Sequence, residues 1–459
     1  MNIKNQIRNE MLESLQKDLF EACYPKCVDK EFGGYFTNFS HDWQIEAVQE
    51  KMIVTQARHM WTAAKAAKFF GNKIYENATV HGLKFLKDKQ WDNDNGGFFQ
   101  VRDRDGGFTP LHGWRDEKRA YGNAFGVYGL SALYELTKNP EVIAFARTAF
   151  EWIEEHCYDP HYGGYFQFIT KEGNIFGKND EYKTLAKDEN EVGFKDQNSS
   201  IHLMEAYTEL YTNWKDEILY KKLRDILVLI RDTMTSSKGY LRLFFEPDFK
   251  PVSFRDDSKE VREKNFGLDH VSFGHDYETA FLMMEASHIL GIENDTRTLA
   301  VAKKMLDHAI DNGWDKEGIG FVDEGYYFAG EDKCKIIKDS KTWWVQAEGL
   351  NALLMFSKIY PEEKRYFEMF VQLWDYVKKN LIDHEHGGWY WGGLDKQPFY
   401  KTGSKQNLWQ CTYHNGRALM NCISMLADED FELYGKSEGF REKKKQTDEF
   451  IEHWKKVRG

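Results

Sequence analysis

Apolar residues recur along the chain at the three- and four-residue spacing of an amphipathic α-helix. In segment 141–158, for example, Ile143, Phe150 and Ile153 fall on one helical face. The same period predicts twelve helices, at 7–24, 54–70, 77–91, 119–137, 141–158, 196–214, 217–234, 276–291, 296–314, 343–360, 364–382 and 414–428. A further short helix is predicted near 447–457. No segment of similar length alternates with a period of two, so the pattern predicts an all-α fold.

The predicted helices are of two kinds. Those with Lys, Glu and Asp along one face are expected on the outside: 77–91, 141–158, 217–234, 296–314 and 364–382. Those with Ala, Gly, Leu and Met nearly all round are expected to be buried on both sides: 54–70, 119–137, 196–214, 276–291, 343–360 and 414–428. Six inner and six outer helices in alternation predict an (α/α)6 barrel, which we expect to form one catalytic domain over 1–459. The parallel inner helices then begin at one end of the barrel, where their dipoles are positive and where we expect function.

A short motif, Asp-x-x-x-Gly-Gly-aromatic, separates several of the helix pairs. Clear copies lie at 29–35, 92–98, 159–165 and 383–389, and weaker ones at 237–240 and 315–321. Such repetition indicates one supersecondary unit used several times. The aromatic runs beside the glycines predict small hairpins. The polar stretches 167–195 and 244–269 predict long loops, which often form rims or lids over a functional end.

Composition narrows the range of partners. The net charge of −12 argues against nucleic acid or an anionic membrane as a partner. The six cysteines show neither a CxxC pair nor Cys/His ligand spacing, which predicts reduced thiols in a cytoplasmic protein. No stretch approaches the roughly 20 apolar residues of a membrane span, and the first residues lack a signal-peptide apolar region. The 14 Trp and 24 Tyr suit a sugar-lined cleft, although core packing accounts for most of them.

Three histidines are predicted in the first turns of inner helices, at His202, His275 and His414. A helix N-terminus favours the neutral imidazole, which is the form that a general base needs. Glu278 lies three residues after His275 and would fix its tautomer or contact substrate. Asn198 lies four residues before His202. Ordinary capping or helix-pair stabilisation explains both pairs equally well.

Two more inner helices carry polar groups in apolar surroundings. Arg58 requires an anionic or carbonyl partner, which is either a structural carboxylate (Glu205 or Glu348) or a substrate oxygen. The segment 341–348 offers an indole platform at Trp343 and Trp344, with the carboxylate of Glu348 one turn later. No metal signature stands out.

Five segments together resemble the N-acylglucosamine 2-epimerase superfamily, and within it most resemble the cellobiose 2-epimerases. They are Gln56-Ala57-Arg58…Trp61, Asn198…His202-Leu203-Met204-Glu205-Ala206-Tyr207, Gly274-His275-Asp276-Tyr277-Glu278, Trp343-Trp344-Val345-Gln346-Ala347-Glu348 and Tyr413-His414-Asn415-Gly416-Arg417. The resemblance covers nearly the whole chain, with the motifs in the same order. It implies an (α/α)6 barrel that epimerises C2 of a reducing-end sugar without a metal or nucleotide cofactor.

The resemblance also implies roles for individual residues. His275 and His414 match acid/base histidines on opposite faces of the sugar, His202 matches a histidine of ring opening, and Arg58 matches an arginine near C2 and O1. Sugar contacts are implied for Tyr121, Asn198, Glu278, Trp344, Glu348 and Trp391. The expected partner is a small sugar, bound by a monomer or weak dimer.

The chain departs from the family pattern at several points. Phe281 stands where a Trp is usual, Asn123 where a Gln is common, and segment 198–202 lacks an additional His. These departures leave open whether the substrate is a cellobiose- or mannobiose-type disaccharide or, as in mannose 2-epimerase, a monosaccharide. Other hypotheses are an aldose–ketose isomerase, a glycoside hydrolase that uses Glu278 and Glu348, and a non-catalytic sugar-binding protein.

Overall fold

The computed structural model describes residues 2–108, 116–178, 188–429, 431–433 and 437–459. Within them the chain forms fourteen α-helices, so the all-α prediction is confirmed. The helices are α1 Ile3–Glu13, α2 Ile53–Phe70, α3 Lys73–Phe85, α4 Ala120–Thr137, α5 Pro140–His156, α6 Gln197–Asn213, α7 Glu217–Leu229, α8 Lys259–Asp269, α9 Phe273–Ile289, α10 Thr296–Gly313, α11 Trp343–Ile359, α12 Lys364–Asn380, α13 Tyr413–Leu426 and α14 Glu438–Arg458. Helices α1, α3 and α7 continue as π-helical turns at Ser14–Glu21, Leu86–Gln90 and Ile230–Met234. Short 3₁₀ turns lie at Glu189–Glu191 and Pro398–Thr402.

Six helices form a closed inner ring. Contacts run from α2 through α4, α6, α9, α11 and α13, and α13 contacts α2 again. The outer helices α3, α5, α7, α10, α12 and α1 pack on α2, α4, α6, α9, α11 and α13, respectively. All residues of α13 are buried, as expected for a helix with neighbours on every side. The predicted alternation of inner and outer helices is therefore confirmed.

Short antiparallel strands connect successive helix pairs near the start of the inner helices. They are β1 Lys51–Met52 with β2 Val101–Arg102, β3 Lys118–Arg119 with β4 Phe168–Ile169, β5 Lys195–Asp196 with β6 Phe244–Phe245, and β7 Val271–Ser272 with β8 Glu324–Tyr326 and β9 Lys335–Lys338. The Gly-Gly motifs close as single antiparallel bridges, for example Trp91 with Phe98 and Ile382 with Trp389. The predicted hairpins are thus confirmed. Gly97 has a φ of 75°, in the left-handed region that favours glycine.

A buried ion pair ties five of the Gly-Gly motifs to the segments that lead into inner helices. The pairs are Asp29–Lys51 (2.9 Å), Asp92–Lys118 (2.8 Å), Asp159–Lys195 (2.7 Å), Asp315–Lys341 (3.0 Å) and Asp383–Lys405 (2.5 Å). All five lysine side chains are fully buried, and four of them precede an inner helix by two residues. A buried ammonium needs this pairing together with carbonyl acceptors, such as Gly33 O at 2.6 Å from Lys51 Nζ. The pairs anchor the barrel end at which the inner helices begin.

The fourth residue of several inner helices holds the preceding motif in place. Gln56 Oε1 accepts a hydrogen bond from the Tyr35 N–H at 2.8 Å, and Asn123 Oδ1 accepts one from the Phe98 N–H at 2.7 Å. In α9 the same position is Asp276, which accepts from the Leu241 backbone. Asn123 therefore has a structural partner in the connection that precedes its helix.

Three regions differ from the sequence-based prediction. Segment 244–269 is not a plain loop, because it contains β6 and the helix α8. Only Leu268 of α8 is buried, so no apolar period marks this helix. The stretch 167–195 contains β4 and the first residue of β5, although its residues 179–187 lie outside the described ranges. Helix α14 is longer than the predicted 447–457. The sequence did not predict its first half, because that half is highly charged and buries Phe440 alone.

Helix α14 covers the end of the barrel at which the inner helices finish. It contacts α2, α9, α10, α11 and α13. Its own residues and the last turns of the inner helices together line a cavity of about 280 Å³. The opposite end is therefore the one where inner-helix N-termini meet a cleft. Among the described residues, no helix has the length and apolar character needed to cross a bilayer.

Candidate active site

Two of the predicted histidines flank a tryptophan where the inner helices begin. His275 is the third residue of α9, Trp344 the second of α11 and His414 the second of α13. The Trp344 ring lies 4.8 Å from the His275 ring and 5.6 Å from the His414 ring, which places the two imidazole centroids at most 10.4 Å apart. Neighbouring helices of the ring thus bring these three aromatic side chains to one place.

His414 is held by a carboxylate. Its Nδ1 lies 2.8 Å from Glu348 Oε1 and 3.7 Å from Glu278 Oε1. Burial lowers the pKa of His414 well below 6.5, so the ring is neutral at pH 7. A neutral ring that donates from Nδ1 to the carboxylate has an unprotonated Nε2. That arrangement suits a general base.

His275 is held by a hydroxyl instead. Its Nδ1 lies 2.8 Å from Ser272 Oγ, in the residue that immediately precedes α9. Burial, followed by the nearby imidazole of His202, lowers the pKa of His275 well below 6.5. The alternative in which Glu278 fixes the tautomer of His275 is wrong, because Ser272 holds His275 Nδ1 and the cation Arg417 holds Glu278. The other alternative, a contact between Glu278 and the substrate, stays a prediction.

Arg417 joins carboxylates from three inner helices. Its Nη2 donates at 2.6 Å to Oε1 of both Glu278 and Glu348, and its Nη1 donates to Glu205 and, at 2.6 Å, to the Tyr413 hydroxyl. Burial raises the pKa of Glu205, but the charge of Arg417 together with the hydrogen bonds of His202 and Tyr413 outweighs burial and lowers this pKa to about 2. Burial also raises the pKa of Glu348, which Arg417 opposes. The Arg417 guanidinium therefore supplies the positive charge that the three buried carboxylates share.

His202 lies one turn deeper than predicted. Helix α6 begins at Gln197, so His202 falls in its second turn and the expectation of a first-turn position is wrong. Its Nδ1 lies 2.8 Å from Glu205 Oε2. The ring also packs 5.2 Å from that of Tyr121. Glu205 rather than Asn198 thus holds His202, whereas Asn198 Oδ1 is buried without a hydrogen-bond partner among the described residues.

Arg58 has no carboxylate within salt-bridge distance among the described residues. Its guanidinium donates to the Tyr121 hydroxyl at 2.9 Å and to the Trp409 carbonyl at 3.4 Å, and Nε is buried without a partner. The aromatic faces of Phe125 and Tyr413 lie 4.4 and 4.6 Å from it. The structural alternative, a pair with Glu205 or Glu348, is wrong because both belong to Arg417. Arg58 thus retains donor capacity for an oxygen in the cleft.

Trp391 belongs to the rim of the same end. Its ring lies 4.4 Å from that of Trp343, and its carbonyl accepts the Trp343 N–H at 2.9 Å. Trp391 and Trp344 line a cavity of about 230 Å³, together with Ser272, Asp323, Glu324, Lys338, Ser340, Thr342, Gln397 and Tyr400. This cavity lies beside His275, because Ser272 lines the cavity and also contacts His275 Nδ1.

The structure brings the predicted site residues together at one barrel end, with two groups that the sequence reasoning missed. Arg417 is a charged residue inside an apolar inner helix, three positions after His414, which is the same signal that singled out Arg58. Ser272 gives no comparable signal, since a serine before a helix is most simply a cap. Phe281 lies 5.8 Å from the Arg417 guanidinium and lines the cavity at the far end of the barrel.

One part of the site has the donor types of a metal centre. Glu278, Glu348 and His414 each offer an atom within 4.8 Å of the others, a set that suits a divalent cation. Arg417 Nη2, however, already bonds both carboxylates at 2.6 Å. A guanidinium thus balances these charges where an ion would lie.

The ring of helices and its histidine-lined end define an (α/α)6-barrel enzyme. The sequence model of the N-acylglucosamine 2-epimerase (GlcNAc 2-epimerase) family matches residues 34–418, and the chain belongs to that family. The chain is 27% identical over 426 residues to a cellobiose 2-epimerase of Bacteroides fragilis, covering 92% of this chain and 99% of that one. It is 22% identical to a D-mannose isomerase of Marinomonas mediterranea, covering 88% and 94%.

The solved structures agree with this assignment of the fold. Cellobiose 2-epimerase from Bacillus thermoamylovorans superimposes with a TM-score of 0.77 at 24% identity, over 92% of this chain and 99% of that one. The predicted barrel and family are thus confirmed, and the chain is an enzyme of the carbohydrate epimerase and isomerase class.

Proposed function

We propose that this protein inverts C2 at the reducing end of an aldose and so interconverts the glucose and mannose configurations. The observation that carries the proposal is the pair of neutral imidazoles on either side of Trp344, each with Nδ1 engaged and Nε2 available. Inversion at carbon requires removal of a proton from one face and delivery to the other. Two bases on different helices meet that requirement.

In the proposed reaction the sugar ring first opens to the aldehyde with help from His202. His414 then removes the C2 proton, and the electron pair of the C2–H bond forms a C1–C2 double bond while the carbonyl electrons move to O1. The resulting cis-enediolate is stabilised by the guanidinium of Arg58. Rotation about C2–C3 presents the other face, where His275, after taking up a proton from solvent, delivers it to C2 while the O1 electrons re-form the aldehyde. His414 then returns its proton to solvent.

The remaining predicted contacts have a place in this scheme. Glu348 holds the His414 tautomer while Arg417 balances its charge. Tyr121 orients Arg58 through its hydroxyl. The Asn198 amide, whose Oδ1 has no hydrogen-bond partner among the described residues, is proposed to contact a sugar hydroxyl, and the Trp344 ring is proposed to stack on a pyranose ring.

A disaccharide of the cellobiose or mannobiose type is the proposed substrate. The cavity beside Trp344 and Trp391 offers about 230 Å³ and polar side chains such as Gln397, enough for a second sugar unit. Phe281 stands where the family usually has Trp, but it lines the cavity at the far end of the barrel, near Arg417. The difference at position 281 therefore leaves the cavity beside Trp344 and Trp391 unchanged. The cellobiose 2-epimerase relative covers nearly the whole chain, which supports the same choice.

An aldose–ketose isomerase is the second candidate, and the similarity to a D-mannose isomerase favours it. That reaction shares the enediolate but returns the proton to C1. A glycoside hydrolase is disfavoured by geometry, because one Arg417 nitrogen holds both Glu278 and Glu348. Neither carboxylate is then a free general acid.

The test is incubation with glucose, mannose, cellobiose and mannobiose in heavy water, followed by NMR of the products. We expect the C2 epimer of a disaccharide, with deuterium at C2 and none at C1. Fructose or another ketose as the main product would favour the isomerase, and monosaccharides released from cellobiose would favour the hydrolase. Epimerisation of mannose alone would move the assignment to a monosaccharide 2-epimerase.

A further inference from the structure

Two cysteines and a histidine meet in the core beside α2, although the sequence gives no ligand spacing. Cys23 follows the π-helical turn of α1, Cys27 lies four residues later, and His59 is in α2 next to Arg58. All three are fully buried. Their two Sγ atoms and one imidazole nitrogen lie within 4.8 Å of one another.

The cluster is rigidly held. Gln406 Nε2 donates to Cys23 Sγ at 2.9 Å, and the Tyr24 hydroxyl lies 3.1 Å from His59 Nδ1. The Tyr35 ring stacks on the imidazole at 5.0 Å. His59 Nε2, by contrast, is buried with no oxygen or nitrogen partner among the described residues, and the Cys23 thiol is close enough to the imidazole to interact with it. An unpaired buried polar atom destabilises the folded state, so it marks a place where a partner is expected.

We propose that Cys23, Cys27 and His59 form a buried site for one thiophilic metal ion, Cu⁺ or Zn²⁺. Thiolates and imidazole are the ligands that such ions prefer. Three donors around a metal with bonds of about 2.3 Å lie roughly 4 Å apart, which needs only a small contraction of the cluster. On binding, both thiols lose their protons to solvent and each sulfur forms a bond to the metal.

The site would join three parts of the chain. Cys23 and Cys27 belong to the N-terminal segment, and His59 belongs to the first inner helix. Through Gln406 and through Tyr24, whose hydroxyl lies 3.3 Å from Thr412 Oγ1, the cluster also contacts the segment that leads into α13. Binding to the folded state should therefore raise the melting temperature. The inference does not rest on the proposed activity, since none of the three side chains acts on sugar in that scheme.

The test is an anaerobic titration of the reduced, metal-free protein with Cu⁺ against a chromogenic Cu⁺ chelator, and separately with Zn²⁺ against a Zn²⁺ indicator. We expect one ion per chain with either or both metals. The Cys23→Ser/Cys27→Ser variant should lose about 100-fold or more in affinity. The Cys157→Ser/Cys422→Ser variant, which alters two other buried cysteines, should bind as the parent does.

Two further measurements keep the test decisive if the double variant folds poorly. Co²⁺ added to the unaltered protein should give thiolate-to-metal charge-transfer bands in the near ultraviolet. X-ray absorption should show two sulfur ligands on the bound metal. The total number of ligands should be three for Cu⁺ and four for Zn²⁺, so the coordination number distinguishes the two kinds of site. Absence of stoichiometric binding, a spectrum without sulfur ligands, or equal affinity in a folded Cys23→Ser/Cys27→Ser variant would overturn the proposal.

Discussion

At the end of the barrel where the inner helices begin, three imidazoles and the Arg58 guanidinium lie among aromatic side chains and buried glutamates. At the other end, lysines and glutamates pair with each other beneath α14. Lys65 Nζ lies 2.5 Å from Glu135 and 2.6 Å from Glu209, and Lys68 bonds the other oxygen of Glu135 at 2.6 Å. Both ends contain buried charge, but among the described residues the Arg58 guanidinium at the first end has no carboxylate partner, whereas Lys65 and Lys68 at the second end each pair with a glutamate.

The difference separates groups that do chemistry from groups that hold the barrel together. Burial opposes the charge of Lys65, yet the two glutamates raise its pKa above the usual value and keep it cationic. At the cleft, burial lowers the pKa of His275 and His414 and keeps them neutral. Arg417 lies between the two ends, since it pairs with the cleft carboxylates and also lines the far cavity. The following predictions test this division.

The largest effect is expected from the two cleft histidines. His275→Ala or His414→Ala should each lower kcat/KM by about 10²–10⁴-fold, and the double variant should be inactive, because each removes one proton-transfer group. Circular dichroism should show an unchanged fold. His384→Ala, a change at an exposed histidine in a turn, should retain full activity. A double variant that still exchanges the C2 proton with solvent deuterium would refute the proposed roles.

Arg417→Met should affect both ends at once. Loss of the guanidinium leaves Glu205, Glu278 and Glu348 as unpaired buried carboxylates, which should reduce the free energy of unfolding by about 3–5 kcal/mol. Activity should fall as well, because Glu348 then no longer holds a fixed charge beside His414. Denaturant unfolding and steady-state kinetics measure the two effects. Arg441→Met, at an exposed ion pair, is the matched control, and a stable Arg417→Met enzyme with normal kcat would contradict the role.

Lys65→Met should act on stability alone. The Lys65 and Glu135 side chains are 24% and 14% exposed, so the loss should be about 1–3 kcal/mol, smaller than for a fully buried pair. We expect kcat/KM to stay within about twofold of the parent, because no cleft group contacts Lys65. Lys17→Met, which breaks an exposed pair with Glu13, should leave the unfolding midpoint unchanged. A large fall in kcat for Lys65→Met would show that the two ends are coupled.

The smallest effect is a displacement of the pH profile. Since burial lowers the pKa of both His275 and His414 below 6.5, the acid limb of kcat/KM should lie below pH 6.5. At pH values between 6.5 and the lowered pKa values of the two histidines, the unfolded chain binds more protons than the folded chain. The two histidines therefore make stability fall as the pH drops below 6.5 and have no such effect above it. An acid limb centred at or above 6.5 would mean that the catalytic imidazoles are solvated.

Local patterns in the chain already define the ring. The helical period locates the inner helices, and the glycine motifs mark the turns between them, because periodicity and turn geometry depend on near neighbours in sequence. The positions of His275 and His414 follow in the same way, since each lies at the start of an inner helix. The covering helix α14 escapes detection over its first half, where charged residues outnumber apolar ones.

The sequence by itself thus determined the helices, their alternation and the end of the barrel that holds the histidines. Only the tertiary structure decided which partners from distant parts of the chain meet: Arg417 with three carboxylates from three helices, and Cys23 and Cys27 with His59. Such pairings depend on how far each helix is rotated about its own axis and on the packing of residues that are hundreds of positions apart. No local pattern encodes that rotation, because it is set by the whole closed ring at once.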